Sequence, residues 1–171
     1  MRNKGTLFFF CGKMGAGKST MARQVVSKHG AVLLSEDEWL AAHFPSLVND
    51  FKDYISYSNL IKPFIKQHVV SLLRLGVNVV MDFPANTMKQ RSWFLRVCAE
   101  AECPHEMHYL DISDAQCLAQ IGQRRKQQPE RAQFDTEAMF HLVSGYFEAP
   151  ALDEELNIVI SGNGILKDSD E

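Results

Sequence analysis

Residues 7–20 read Leu-Phe-Phe-Phe-Cys-Gly-Lys-Met-Gly-Ala-Gly-Lys-Ser-Thr, and no other stretch narrows the fold as far. Gly12, four intervening residues, Gly17, Lys18 and Ser19 have the spacing of a Walker A loop, or P-loop. Glycines here let the backbone turn its N–H groups into a concave, anion-binding cradle. In such a loop Gly12, Lys13, Met14, Gly15, Ala16, Gly17, Lys18, Ser19 and Thr20 surround the phosphates. Lys18 reaches the β and γ phosphates, Ser19 offers a hydroxyl to Mg²⁺, and the following helix turns its positive end toward the anion. The flanks agree with this reading. The apolar run before Gly12 suits a strand buried on both faces, and Ser19 to Lys28 carries helix formers closed by Gly30.

A chain of 171 residues suffices for one well-cored domain, expected over 1–166 and followed by an acidic tail over 167–171. A formal net charge of −3 argues against a broad nucleic-acid-binding face. There is no apolar run of membrane-spanning length and no signal-peptide pattern at the N-terminus, so a cytoplasmic protein is expected. Cys11, Cys98, Cys103 and Cys117 form no CxxC pair and read as reduced structural thiols, and the six histidines show no zinc spacing.

Further along, Ala31 to Leu34 reads as a second strand ending at Ser35-Glu36-Asp37-Glu38-Trp39. Ligands of open α/β sheets bind beyond the carboxyl ends of the strands, so these acids belong on the same edge as the P-loop. Asp37 is the leading candidate for the base that orients an acceptor hydroxyl, ahead of Glu36 and Glu38. Ser35 also reads as a helix cap, with the acids favoured by the helix dipole. A long amphipathic helix is expected from Tyr57 to Leu75, with Leu60, Ile61, Phe64, Ile65, His68, Val69, Leu72 and Leu73 as its core stripe. Tyr54, Tyr57 and Lys62 are either acceptor contacts or solvated surface.

Val77 to Asp82 reads as a third strand ending in an acid, the loose Walker B form that binds Mg²⁺. Asp111, after His108-Tyr109-Leu110, is its rival. Asp82 is favoured because Phe83 to Thr87 follow as a polar loop. Met88 to Ala101 is then a helix, Glu106 to Leu110 a fourth strand and Asp114 to Lys126 another helix. The basic stretch near 123–134 is either a solvated helix end or a lid whose arginines, led by Arg124 and Arg131 with Arg125 behind, neutralise charge on a transferring phosphoryl group. A helix from near Phe134 to Tyr146, capped by Asp135 or Thr136, and a fifth strand over Leu156 to Ile160 complete the chain.

This order resembles the P-loop kinases, and among them the zeta-toxin-like group of AAA family ATPases that includes chloramphenicol phosphotransferase and the 5′-hydroxyl polynucleotide kinase domain. The resemblance implies an α/β, nucleoside-kinase-like fold with a parallel five-stranded sheet flanked by helices. It also implies an ATP- and Mg²⁺-dependent phosphotransferase with Asp37 as acceptor base, Asp82 at the site with Ser19 on the metal side, and a lid arginine in the 124–131 region. Polynucleotide kinases of this group commonly carry an arginine soon after the catalytic acid, where this chain has Trp39-Leu40-Ala41-Ala42. With the negative net charge, this favours a small-molecule hydroxyl over a nucleic acid end. A nucleotide-binding switch acting through a partner is the reading from a different class.

Overall fold

The computed structural model describes residues 3–161. The acidic tail expected over 167–171 lies outside the described residues. The strands are β1 (Leu7–Cys11), β2 (Val32–Ser35), β3 (Val79–Pro84), β4 (His105–Leu110) and β5 (Ile158–Ser161). The helices are α1 (Lys18–His29), α2 (Glu36–His43), α3 (Phe51–Arg74), α4 (Met88–Ala101), α5 (Asp114–Gln127) and α6 (Glu137–Ser144). All strand pairs are parallel, in the order β2-β3-β1-β4-β5. Among the described residues no helix is long and apolar enough to cross a membrane.

Parallel sheets are covered on both faces, so their central strands are apolar throughout. Every residue of β1 is buried. Phe8 and Phe10 face one layer with Met21 and Val25 of α1, Ile121 of α5 and Phe140 of α6. Leu7, Phe9 and Cys11 face the other, with Val69 and Leu73 of α3 and Phe94 and Val97 of α4. Phe9 stacks on Phe94 with ring centroids 4.4 Å apart. His105 and His108 leave β4 on opposite sides, against Phe9 and Phe10 respectively.

Three expectations change. Helix α3 begins at Phe51, earlier than Tyr57, because the Asp50 side chain accepts the Asp53 N–H at 2.8 Å and so caps it. Its buried stripe is Ile61, Ile65, Val69 and Leu73, while Leu60, Phe64 and His68 lie outside it, Phe64 being 78% exposed. A residue one position back is rotated by about 100°, which carries it off a narrow buried stripe. Third, β3 does not stop at Asp82 but runs on to Pro84. Its pairing with β1 shifts there, from Phe8 opposite Val80 to Phe10 opposite Pro84. Extra residues in one strand bend it and re-aim its side chains, and Asp82 lies within this irregularity.

Candidate active site

With β2 and β3 on one side of β1 and β4 on the other, the strand order reverses at β1, and the crevice opens at its carboxyl end. The P-loop fills that position, leaving β1 at Cys11 and entering α1 at Lys18. Gly15 and Gly17 have φ of 80° and 96°, in the left-handed region that side chains resist. A Cβ on Gly15 would sit 2.6 Å from the Cys117 carbonyl oxygen of α5. Gly17 caps α1 without a side-chain hydrogen bond, leaving the N–H groups of the first turn to an anion. The Lys18 ammonium donates to the carbonyl oxygens of Gly12 at 2.5 Å and Lys13 at 3.0 Å, which holds it across the loop. Burial lowers its pKa, and the nearby Asp82 carboxylate opposes that shift.

The rest of the loop is fixed from outside. Asn86, in the turn after β3, accepts the Gly12 N–H at 2.9 Å. Lys13 donates to Asp114 at 2.7 Å and lies over the Phe147 ring. Ala16 is buried with Met14 packed beside it, whereas Ser19 and Thr20 are exposed on the first turn of α1.

The acids converge on this loop by strand register. Ser35 of β2 is paired with Asp82 of β3, so the chain enters α2 beside Asp82. The Ser19 hydroxyl lies beside the Asp82 carboxylate; burial raises the Asp82 pKa, and the neighbouring Ser19 hydroxyl acts against the rise. Asp111 instead lies exposed past the end of β4 and accepts from the Tyr109 hydroxyl at 3.5 Å. Asp37 lies on the first turn of α2, its side chain 62% exposed and its carboxylate 3.9 Å from an Arg131 nitrogen. Ser35 does cap that helix, accepting the Glu38 N–H. Glu36 turns the other way, is buried, and accepts from the hydroxyls of Tyr54 and Ser58, the latter at 2.7 Å. Burial raises its pKa, and the two donors oppose the rise.

Tyr54 thus supports α2 from within. Tyr57 packs on Phe44, with ring centroids 4.5 Å apart, and Lys62 lies over Trp93 of α4.

The basic segment does not project freely. Helix α5 ends at Gln127, a 3-10 turn covers Pro129–Arg131, and Thr136 caps α6 by accepting the Met139 N–H at 3.1 Å. Asp135, weighed above as a cap, instead receives two arginines. Arg124 donates to its two carboxylate oxygens at 2.8 and 2.5 Å, and Arg131 to one of them at 3.3 Å. Arg125 is exposed.

Sequence reading gave Asp135 only as a candidate cap, missing its two arginine partners, and missed Arg91. Asp135 stands four residues after Arg131, a signal available in the sequence. Arg91 occupies the apolar stripe of α4 with Phe94 and Cys98, yet its side chain is fully buried. It donates to both oxygens of Glu154, at 2.7 and 2.9 Å, and to the carbonyls of Ala85 and Glu148 at 3.1 and 2.8 Å.

As a donor set, the Ser19 hydroxyl and the Asp82 carboxylate are hard oxygens, which suits Mg²⁺, an ion that keeps water and phosphate ligands and needs few from protein. Among the described residues no group of three or more His, Cys, Asp or Glu side chains forms a cage for another kind of metal.

A parallel α/β sheet with a P-loop at its switch point defines the fold of the P-loop kinases, and solved structures agree. A candidate kinase from Chloroflexus aurantiacus superposes with a TM-score of 0.71 at 16% identity, covering 95% of this chain and 87% of that one. An APS kinase from Mycobacterium tuberculosis, solved with AMPPNP and APS, gives 0.61 at 19% identity over 94% of this chain and 90% of that one. A gluconokinase from Sinorhizobium meliloti gives 0.56 at 16% identity over 95% and 84%. The AAA domain family model matches residues 7–149, and the chain belongs to that family. No curated protein matches the sequence significantly.

Proposed function

We propose that this chain is an ATP-dependent phosphotransferase that moves the γ-phosphoryl group to a hydroxyl of a small-molecule acceptor. The observation that carries the reading is the convergence, at the carboxyl edge of the sheet, of Lys18, the Ser19–Asp82 pair, Asp37 and Arg131. The kinase fold of the structural neighbours supports it. Lys18 and the N-terminus of α1 hold the triphosphate, Ser19 and Asp82 hold Mg²⁺, and Asp37 orients the acceptor hydroxyl and takes its proton. Bound Mg²⁺ neutralises charge on the phosphates. The segment near 123–134 serves as the lid, its arginines facing the charge that develops during transfer.

Phosphoryl transfer relies mostly on positioning and electrostatics, so a few preorganised groups suffice. Asp37 and Glu38, both exposed on the first turn of α2, make the acceptor side acidic, which suits a neutral or cationic alcohol better than a polyanion. The test is Asp37→Asn. Transfer to an acceptor is expected to fall by about 10²-fold or more, with ATP affinity within about threefold of wild type. Equal loss of binding and transfer would remove Asp37 from the role of base.

A further inference from the structure

Asp135 is a carboxylate with no exposed side-chain surface, in a turn that sequence marks only as a helix start. Burying a lone carboxylate is strongly unfavourable, and here two cations compensate it. Arg124 commits Nε and Nη2 to a two-pronged contact with it, at 2.8 and 2.5 Å. Arg131 commits only Nε, at 3.3 Å, and its Nη1 lies 3.9 Å from Asp37. The backbone closes around the same group: the Asp135 N–H donates to the Arg131 carbonyl at 2.8 Å, and the Gln128 N–H to the Arg124 carbonyl at 2.8 Å. The two arginines face different partners. Arg124 follows by one turn the part of α5 that lies on the P-loop, where Ile121 would come within 2.6 Å of a Cβ on Gly15 and Gln120 within 3.8 Å of one on Gly17, whereas Arg131 faces the base of the acceptor side.

We propose that Asp135 is a positioning residue of the transfer site: it sets the lid in place before any ligand binds, holding Arg124 on the nucleotide side and Arg131 on the acceptor side of the transferring group. This rests on the phosphotransferase reading above. A planar guanidinium gripped at two nitrogens has few orientations left, so the cost of ordering it is met during folding instead of at the reaction. Two arginines against one buried carboxylate also leave about one unit of positive charge facing the crevice, as a polyphosphate requires.

The test uses the full chain with Asp135→Asn, Arg124→Lys, the double variant, and Thr136→Ala, which removes the α6 cap without touching either arginine. Amide exchange over residues 128–135 is read without ligand, and acceptor-dependent kcat and KM are read separately. Asp135→Asn and Arg124→Lys are each expected to speed that exchange by about tenfold and to lower kcat by about 10–100-fold with KM for ATP within about threefold. Because Arg124→Lys breaks a contact that Asp135→Asn already breaks, the double variant should lose no more than the worse single variant. Exchange and kcat within about twofold of wild type in Asp135→Asn, the same pattern in Thr136→Ala, or additive losses in the double variant would each overturn the proposal. A wild-type chain that transfers to no acceptor would overturn the phosphotransferase reading instead, while the exchange data would still decide whether Asp135 anchors the lid.

Discussion

Replacing Arg91 by methionine is expected to cost a large fraction of the folding free energy, and the structure supplies the reasons. The Arg91 side chain has no exposed surface and that of its partner Glu154 is only 7% exposed. The substitution leaves a buried carboxylate without its cation, a change worth about 3–5 kcal/mol. The carbonyls of Ala85 and Glu148 also lose a donor, while the methionine recovers some burial. A net cost of about 4 kcal/mol lowers Tm by about 8–16 °C for a chain of this size. Urea unfolding at pH 7 measures it. The pH dependence adds a second check. The Glu154 carboxyl is held below its usual pKa, first by its hydrogen bond to Arg91. Stability from a depressed carboxyl is present above its unfolded pKa and is lost as pH falls through the folded one. The gap between wild type and Arg91→Met should therefore narrow as pH drops below about 4.5. Replacing both partners, Arg91→Met with Glu154→Leu, should recover much of the loss, since the desolvated charge is then gone. A single variant within about 1 kcal/mol of wild type would show that the buried Arg91–Glu154 pair does not carry this stability, as would a double variant as unstable as the sum of the singles.

Gly15→Ala should cost about 2 kcal/mol or more and weaken ATP binding, because the left-handed φ and the 2.6 Å approach to the Cys117 carbonyl act together. Gly30→Ala, with nothing within 4 Å of its Cβ, should cost only about 1–2 kcal/mol for the backbone, as thermal melts of the two variants would report. Burial keeps His105 and His108 below the usual imidazole pKa, so on acidification the unfolded chain takes up protons first. Their contribution is complete above about pH 6.5 and declines as pH falls toward the folded values. The raised carboxyls of Glu36 and Asp82 act in the opposite sense. The measurement is therefore the difference in slope between wild type and His105→Gln with His108→Gln, which should be flatter in the variant by urea titration from pH 7.5 to 5.5.

The parts of the site legible in the sequence are those whose chemistry is local. The P-loop announces itself because its glycines, lysine and serine act within eight consecutive residues, and α4 is bounded as expected because Thr87 and Gln90 form a capping box within one turn. Apart from Asp135, whose partner Arg131 stands four residues before it, what escaped depends on partners far along the chain. Arg91 reads as one more polar residue of an amphipathic helix until Glu154, 63 residues later, arrives beside it. The extension of β3 past Asp82 follows from its shifted register with β1, and the hydrophobic run of neither strand encodes that shift. Leu60 and Phe64 fit a helical period as well as Ile61 and Ile65 do, and only the packing of α3 against the sheet and α4 selects one stripe over the other.

The phosphotransferase assignment turns most directly on whether the γ-phosphoryl group reaches a hydroxyl. Radiolabelled γ-phosphate from ATP with Mg²⁺ should be followed into a panel of aminoglycosides, chloramphenicol, nucleosides, nucleotide sugars and 5′-hydroxyl oligonucleotides, with Lys18→Ala as control. A labelled small-molecule product is expected, and Lys18→Ala should fail to form it. Label released only as inorganic phosphate at a rate no acceptor changes, or label entering oligonucleotides in preference to every small alcohol, would contradict the assignment.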